Sequence, residues 1–428
     1  MKSGRGPGVL RGLSLLGLAA VYCVLAGLVL SFGKTLGNSV DMGFHLQTTE
    51  LLRDHLFMPR SAESFQREMF AYPRWSYRLA TPAVWAGLST PNALGLAAAA
   101  SIAAAWLMLL TMARRISEAV FLMAFLCSSA VILFLGAAIG AEVVINYFYP
   151  QLVGEPAAIG LVLLGAYLIE RSRVAFAAFA LAAVWIAGQF HLIPALHTAG
   201  GLGVVLVVDW LRTPAAGRLR AAAWLLTLPA MGAVLVLHPA FAALRRLSIV
   251  DGGIRFGAPL DVGQVGLAAA ALLALSGAIV LHLLRRPEPT AARPAIVFFA
   301  AIGGATAAAA LAQAGAFIWL GEGSPYAVKK HAFAVFTALA FVVPVGAWLA
   351  ARVPSHGRRL FSVLAALGVL AVGYAVLRQA TALGPFIYLS PFDQVRVILA
   401  GATVAGLLLA AVLVVWTGQP GRGGAIRA

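Results

Sequence analysis

The sequence predicts an all-α integral membrane protein with about twelve transmembrane helices, in a range of 10–13. Of its 428 residues, 61% are hydrophobic and only 11% are charged, whereas soluble domains carry roughly 25% charged residues. The mean hydropathy is +0.92, and apolar runs recur along the whole chain. We therefore predict one polytopic membrane domain over residues 1–417, followed by a disordered cytoplasmic tail over residues 418–428.

A bilayer core needs about twenty apolar residues per helix, and this length defines most of the predicted spans. They lie at residues 13–32, 92–112, 117–139, 156–170, 174–188, 191–211, 221–238, 264–284, 294–319, 331–352, 360–378 and 395–416. The segments 156–170 and 174–188 are short, so each must be tilted, broken or extended by its neighbours. The segment 76–89 is too short and polar to span, and we predict an interfacial or re-entrant helix there.

The distribution of charge predicts the orientation. With a cytoplasmic N-terminus, the cytoplasmic segments hold 18 of the 31 basic residues but only four of the 15 acidic ones. Positive residues concentrate in the cytoplasmic loops of membrane proteins, which explains the net charge of +16 without a nucleic-acid partner. Both termini are then cytoplasmic, and the outer loops are 33–91, 140–155, 239–263, 320–330 and 379–394.

The long first outer loop begins with an acidic residue, Asp41. A helix that starts there places His45, Thr48 and Leu52 on the same side as Asp41, at about 100° per residue. The charged residues Glu50, Arg53 and Asp54 fall on the opposite side, toward water. Asp41 is thus either an inward-facing carboxylate or the N-cap of the helix, and the two roles can coexist.

Later in the same loop lie aromatic residues and two arginines. Arg74 and Arg78 are four residues apart, and Tyr72 precedes them. This pattern suits substrate binding, and it equally suits arginines that snorkel at a membrane interface.

The second outer loop carries the acidic residue Glu142 just after a long apolar run. A carboxylate there is costly unless it faces water, a cation or a ligand, so Glu142 is a candidate catalytic acid or an exposed interfacial residue. Asn146 and Tyr147 are candidate substrate-binding neighbours, although an interfacial tyrosine is also typical of the aromatic belt. Glu155 precedes Pro156, which predicts a helix start at Pro156.

Lys329 and Lys330 are the only lysines after Lys34, and the predicted topology places them outside. A lysine pair suits a phosphate or diphosphate group as point charges, with His331 beside it. The outer pair Arg245 and Arg246 is a weaker candidate for the same role. The alternative is contact of these residues with anionic lipid headgroups.

His191 and His197 flank Pro194 at a span boundary, which predicts a helix break, either near a polar cavity or with a locally bonded histidine. No second spaced pair supports a metal site, so we assign no metal ligand and leave a divalent metal open. The cysteines, Cys23 and Cys127, lie inside apolar spans and predict neither a disulfide framework nor a metal cluster. The sequence contains no P-loop or dinucleotide motif.

Taken together, these residues resemble the GT-C superfamily of polytopic glycosyltransferases. The stretch from Asp41 to His45 is similar to an Asp-x-x-Phe-His/Tyr pattern, although many members carry paired acids where this chain has Asp41-Met42. The stretch Tyr72-Pro73-Arg74-Trp75 is similar to a Tyr-Pro-Pro-Leu segment, with Arg74 in place of the second proline. Glu142 matches the second-loop acid.

The resemblance implies an enzyme of the bacterial inner membrane that transfers a sugar from a polyprenyl-phosphate donor to a glycan or lipid acceptor on the outer face. Asp41 would be the general base. Two other classes remain open: a multi-span transporter or lipid flippase, and a non-catalytic protein of envelope assembly.

Overall fold

The computed structural model describes residues 42–55, 59, 72–134, 149–241, 262–286, 292–350 and 352. Within these ranges every regular element is helical, and seven helices are long and apolar enough to cross a membrane. The chain is therefore an all-helical, polytopic membrane protein, as the composition predicts. The predicted spans 13–32, 360–378 and 395–416 and the tail lie outside the described residues.

The elements follow one another in a simple order. They are α1 (Met42–Asp54), α2 (Trp75–Trp85), α3 (Thr90–Ile116), α4 (Glu118–Phe134), α5 (Tyr149–Leu168), α6 (Arg173–Gly188), α7 (Leu192–Arg212), α8 (Ala215–Ala222), α9 (Thr227–Leu237), α10 (Val262–Arg285), α11 (Arg293–Leu320) and α12 (Pro325–Ala350), with a 3-10 segment, Ala223–Leu226, joining α8 to α9.

Helix α11 forms the centre of the bundle and packs against α5, α7, α10 and α12. It is rich in alanine and glycine, and small residues let helix backbones approach closely in a membrane. The Cα of Gly200 on α7 faces Ala305 so closely that an added Cβ would lie 3.0 Å from the Ala305 Cβ. The interior also contains an aromatic contact between Trp106 and Phe341, whose ring centroids are 5.5 Å apart. Small residues and a few aromatic rings thus fix the helix positions.

The prediction for α1 is confirmed. The helix runs from Met42 to Asp54, and its predicted inward residues His45, Thr48 and Leu52 are all buried. The predicted outward residues Arg53 and Asp54 are partly or largely exposed and form an ion pair with an N–O distance of 2.7 Å. The segment predicted to be too short to span forms α2, which is only 11 residues long.

Two predicted helix starts are wrong. Helix α5 begins at Tyr149, so Glu155 lies in its second turn and Pro156 lies inside the helix. Helix α12 begins at Pro325, so Lys329 and Lys330 belong to the helix instead of the loop 320–330. Both helices start before the predicted apolar run because residues of their first turns, among them Tyr149, Gln151 and Val328, are buried in the bundle, which hydropathy alone does not record. The short segment 156–170 is thus extended by its flanking residues, whereas α6 stays short at 16 residues.

The end of the bundle that the topology predicts to be cytoplasmic is held together by arginines. The Nε of Arg173 lies 2.7 Å from an Asp209 carboxylate oxygen, and Arg115 donates to the Tyr167 hydroxyl at 3.2 Å. Arg286 donates to the carbonyl of Arg352. Segments predicted to share one side of the membrane therefore meet at one end of the bundle.

Candidate functional site

Polar side chains from five parts of the chain meet at the opposite end of the bundle, which we call the polar end. It comprises His45, residues 72–78, residues 149–155, residues 189–197 and residues 329–331. The Tyr149 hydroxyl donates to the Ser76 carbonyl at 2.8 Å, and the Trp75 amide donates to the Gln189 carbonyl at 3.3 Å. The first loop, the start of α5 and the turn between α6 and α7 are thereby joined.

His45 forms an aromatic cluster with Tyr77 and Tyr149. The His45 Nδ1 and the Tyr77 hydroxyl oxygen are 2.9 Å apart, and the His45 ring centroid lies 6.0 Å from that of Tyr149. All three side chains are buried. His45, which the sequence places on the inward face of α1 and which is a candidate substrate-binding residue, is therefore fixed in orientation by its neighbours, as a positioned polar group requires.

Tyr72 and His191 form the second contact of the polar end, with ring centroids 5.7 Å apart. The His191 Nδ1 accepts a hydrogen bond from the Ile193 amide, and this bond caps α7. The predicted helix break with a locally bonded histidine is thus confirmed at His191. The positive charge of Lys330 acts electrostatically on His191. His191 therefore interacts with both Tyr72 and Lys330.

The arginine pair lies at the start of α2. Arg74 is half-buried, and burial together with the positive charge of Arg78 lowers the pKa of Arg74. Two like charges held one helical turn apart repel each other. The two guanidinium groups together place positive charge at the start of α2.

The most deeply buried polar contact joins α5, α7 and α12. The His197 Nδ1 lies 3.2 Å from a Glu155 carboxylate oxygen, and the His197 Nε2 lies 3.2 Å from the His331 Nδ1. The first contact has poor hydrogen-bond alignment, since both of its atoms lack a hydrogen-bonded partner. We call these three residues the Glu–His–His chain. Sequence reasoning missed Glu155 as a site residue because its position before Pro156 indicated a helix start.

The lysine pair lies one turn into α12. The Lys330 ammonium group lies 4.3 Å from the Tyr326 ring centroid, and the Lys330 carbonyl accepts a hydrogen bond from Gln151 on α5 at 2.8 Å. Both lysines are partly exposed. The structure therefore brings the predicted phosphate-binding residues to the same end of the bundle as the first outer loop.

Several predicted site residues lie outside the described residues. They are Asp41, Glu142, Asn146, Tyr147, Arg245 and Arg246. In sequence Asp41 directly precedes α1, whose inward face carries His45. Among the described residues, no three His, Cys, Asp or Glu side chains are arranged to hold a metal ion.

The polar end depends on close contact between α5 and the start of α7 at Gly154. A Cβ on Gly154 would lie 2.8 Å from the Pro194 Cγ and 3.0 Å from the Phe190 Cβ. We expect Gly154→Ala to lower the free energy of unfolding by about 1–3 kcal/mol, since overpacking costs that much. The matched control is Gly160→Ala on the same helix, where the added Cβ meets Met108 at an ordinary 3.6 Å.

Thermal melting of both variants in detergent measures this difference. Because alanine favours a helix over glycine by about 1 kcal/mol, Gly160→Ala should melt at or above the wild-type temperature and Gly154→Ala below it. Equal melting temperatures for the two variants would contradict the close contact.

Comparison of the chain with models of protein families, with curated proteins and with solved structures gives no match. The function of the protein is therefore inferred from the residues of the polar end.

Proposed function

We propose that this protein is a membrane glycosyltransferase that moves a sugar from a polyprenyl-phosphate donor to an envelope glycan or lipid acceptor on the outer face. The observation that carries the proposal is the polar end itself. Two cationic pairs, Arg74 with Arg78 and Lys329 with Lys330, come to the same end of the bundle as the helix that follows Asp41. Basic pairs at the same end of the bundle as the helix after Asp41 suit the chemistry of a phosphate leaving group and a hydroxyl nucleophile.

The proposed reaction needs a base and a set of cations. Asp41 accepts the proton of the acceptor hydroxyl while the hydroxyl oxygen bonds to the anomeric carbon. The bond between that carbon and the phosphate oxygen breaks, and the lipid phosphate leaves with the electron pair. Lys329, Lys330 and the two arginines stabilise the negative charge that develops on the phosphate. His45 and Tyr72 would bind the sugar or the acceptor.

The experiment that tests this function is transfer of a labelled sugar by the purified protein in proteoliposomes that contain a polyprenyl-phosphate sugar. We expect label in an acceptor glycan or glycolipid from envelope extract, with release of polyprenyl phosphate. No transfer from a panel of polyprenyl-phosphate hexoses and pentoses would overturn the proposal.

The rival class is a lipid flippase or transporter. One observation favours it, because buried ionisable groups inside membrane-spanning helices commonly mark a substrate or ion pathway, and Glu155, His197 and His331 are all buried. A scrambling assay with a fluorescent polyprenyl-phosphate lipid in the same proteoliposomes separates the two classes. Movement of that lipid between leaflets without sugar transfer favours the flippase.

The proposed orientation makes a separate prediction in a background without Cys23 and Cys127. We expect Glu322→Cys, at the polar end, to react with a membrane-impermeant maleimide in intact cells, because the polar end faces outward. Arg220→Cys, at the arginine-rich end, should react only after the membrane is permeabilised. Both positions are exposed, so a difference in burial cannot account for a difference in labelling. The reverse labelling pattern would place the polar end in the cytoplasm.

A further inference from the structure

The Glu–His–His chain is a second feature of the polar end that the proposed reaction does not use. Glu155 is the seventh residue of α5, His197 the sixth of α7 and His331 the seventh of α12. With a rise of about 1.5 Å per residue, all three lie roughly 8–9 Å inside their helix starts. The three residues are only 4–6% exposed. Three titratable groups on three different helices thus meet at one depth within the bundle.

The hydrogen-bonding capacity of the three side chains allows two protonation states. In one state His197 carries its proton on Nδ1, facing Glu155, and its Nε2 accepts from the Nδ1–H of His331. In the other state His197 is an imidazolium, and it donates to Glu155 from Nδ1 and to the His331 Nδ1 lone pair from Nε2. The two states differ by one proton, and neither requires the three side chains to move.

Two further observations show that hydrogen bonding in and beside the Glu–His–His chain is incomplete. The facing atoms of Glu155 and His197 are 3.2 Å apart but lack a hydrogen-bonded partner in the structure. The nearby Gln151, one turn earlier on α5, also has a buried carbonyl oxygen without one. A charge-assisted hydrogen bond is shorter and stronger than a neutral one. Protonation of His197 would therefore place opposite charges on the two sides of the Glu155–His197 contact and strengthen their attraction.

The charged groups around the chain come from three helices. Lys329 and Lys330 lie directly before His331 on α12, and Lys330 acts electrostatically on both His191 and His331. Their positive charges oppose uptake of a proton, and the carboxylate of Glu155 favours it. Helix α11 packs against α5, α7 and α12, and its one charged residue, Arg293, lies at the far end. The negative charge of Glu155 is thus the one that stabilises a protonated His197.

We propose that Glu155, His197 and His331 form a buried proton-binding site in which one shared proton resides on His197. Within the proposed glycosyl transfer, on which this role rests, Asp41 passes the proton of the acceptor hydroxyl on to water, and the buried site takes up one proton from water, so the proton count balances. An increase of positive charge beside Lys330 also offsets the negative charge that develops on the leaving phosphate. Proton binding itself needs no substrate, so it is testable even if the protein is not a glycosyltransferase.

The test is nitrogen NMR of ¹⁵N-histidine-labelled protein in nanodiscs between about pH 8 and about pH 5, the range in which histidines commonly titrate. The variants His197→Asn and His331→Asn assign the two signals. We expect an imidazolium signal from His197 in the wild type as the pH falls. In Glu155→Gln its fraction at about pH 6 should fall tenfold or more, because removal of one partner of a buried ion pair leaves the other charge uncompensated.

The matched control is Glu118→Gln, an exposed glutamate at the other end of the bundle, which should leave the His197 signal unchanged. Glu155→Asp keeps the charge and should retain most of the imidazolium, which covers the case in which Glu155→Gln does not fold. A His197 that stays neutral down to about pH 5 in the wild type would overturn the proposal. The same imidazolium fraction in the wild type and Glu155→Gln would also overturn it.

Discussion

Replacement of Asp41 by Asn is expected to reduce sugar transfer by about 10²–10⁴-fold, the contribution typical of a positioned general base. The asparagine side chain has nearly the same shape and still caps a helix well. The substitution therefore removes the proton acceptor and leaves the start of α1 intact. Initial rates with a saturating polyprenyl-phosphate sugar measure the effect as a change in kcat.

The matched control for this variant is Asp54→Asn at the other end of the same helix. Asp54 is exposed and pairs with Arg53 at the surface, and exposed ion pairs contribute about 0–1 kcal/mol. Transfer by Asp54→Asn should equal that of the wild type. If Asp41→Asn also keeps wild-type activity, Asp41 is only a helix cap, and Glu142 becomes the candidate base.

Replacement of both Lys329 and Lys330 by Gln is expected to raise the KM for the lipid-phosphate donor by about 10–100-fold. A hydrogen bond to a charged group contributes about 1.5–3 kcal/mol, and each 1.4 kcal/mol corresponds to a factor of ten. The double variant keeps long polar side chains in the first turns of α12, so the helix itself should form normally. Titration of the donor in the proteoliposome assay separates KM from kcat.

The control is the double variant Arg218→Gln with Arg220→Gln, which removes two positive charges from the opposite end of the bundle. It changes the net charge by the same amount, so a general loss of attraction to anionic lipid would affect both variants alike. A donor KM that rises equally in the two variants would reduce the lysine pair to a nonspecific lipid contact. Lys330→Arg, which keeps the charge, should retain most of the affinity.

Hydropathy and charge predicted most of the fold because both are properties of local sequence. Each apolar run among the described residues forms a helix, and the two segments that looked too short were resolved differently. The segment 156–170 is extended by the seven residues before it, 149–155, and becomes α5, whereas 174–188 remains short. The inward face of α1 was predictable since helical periodicity alone places His45, Thr48 and Leu52 together.

The sequence by itself thus determined the class of protein, the order of its helices and the inward face of α1, which lies at the polar end. Only the tertiary structure decided which side chains meet there. Glu155, His197 and His331 come from positions separated by up to 176 residues, and their contacts of 3.2 Å exist because three helices cross at the same depth. Composition and periodicity describe a single helix, whereas a buried polar contact between helices depends on how neighbouring helices pack.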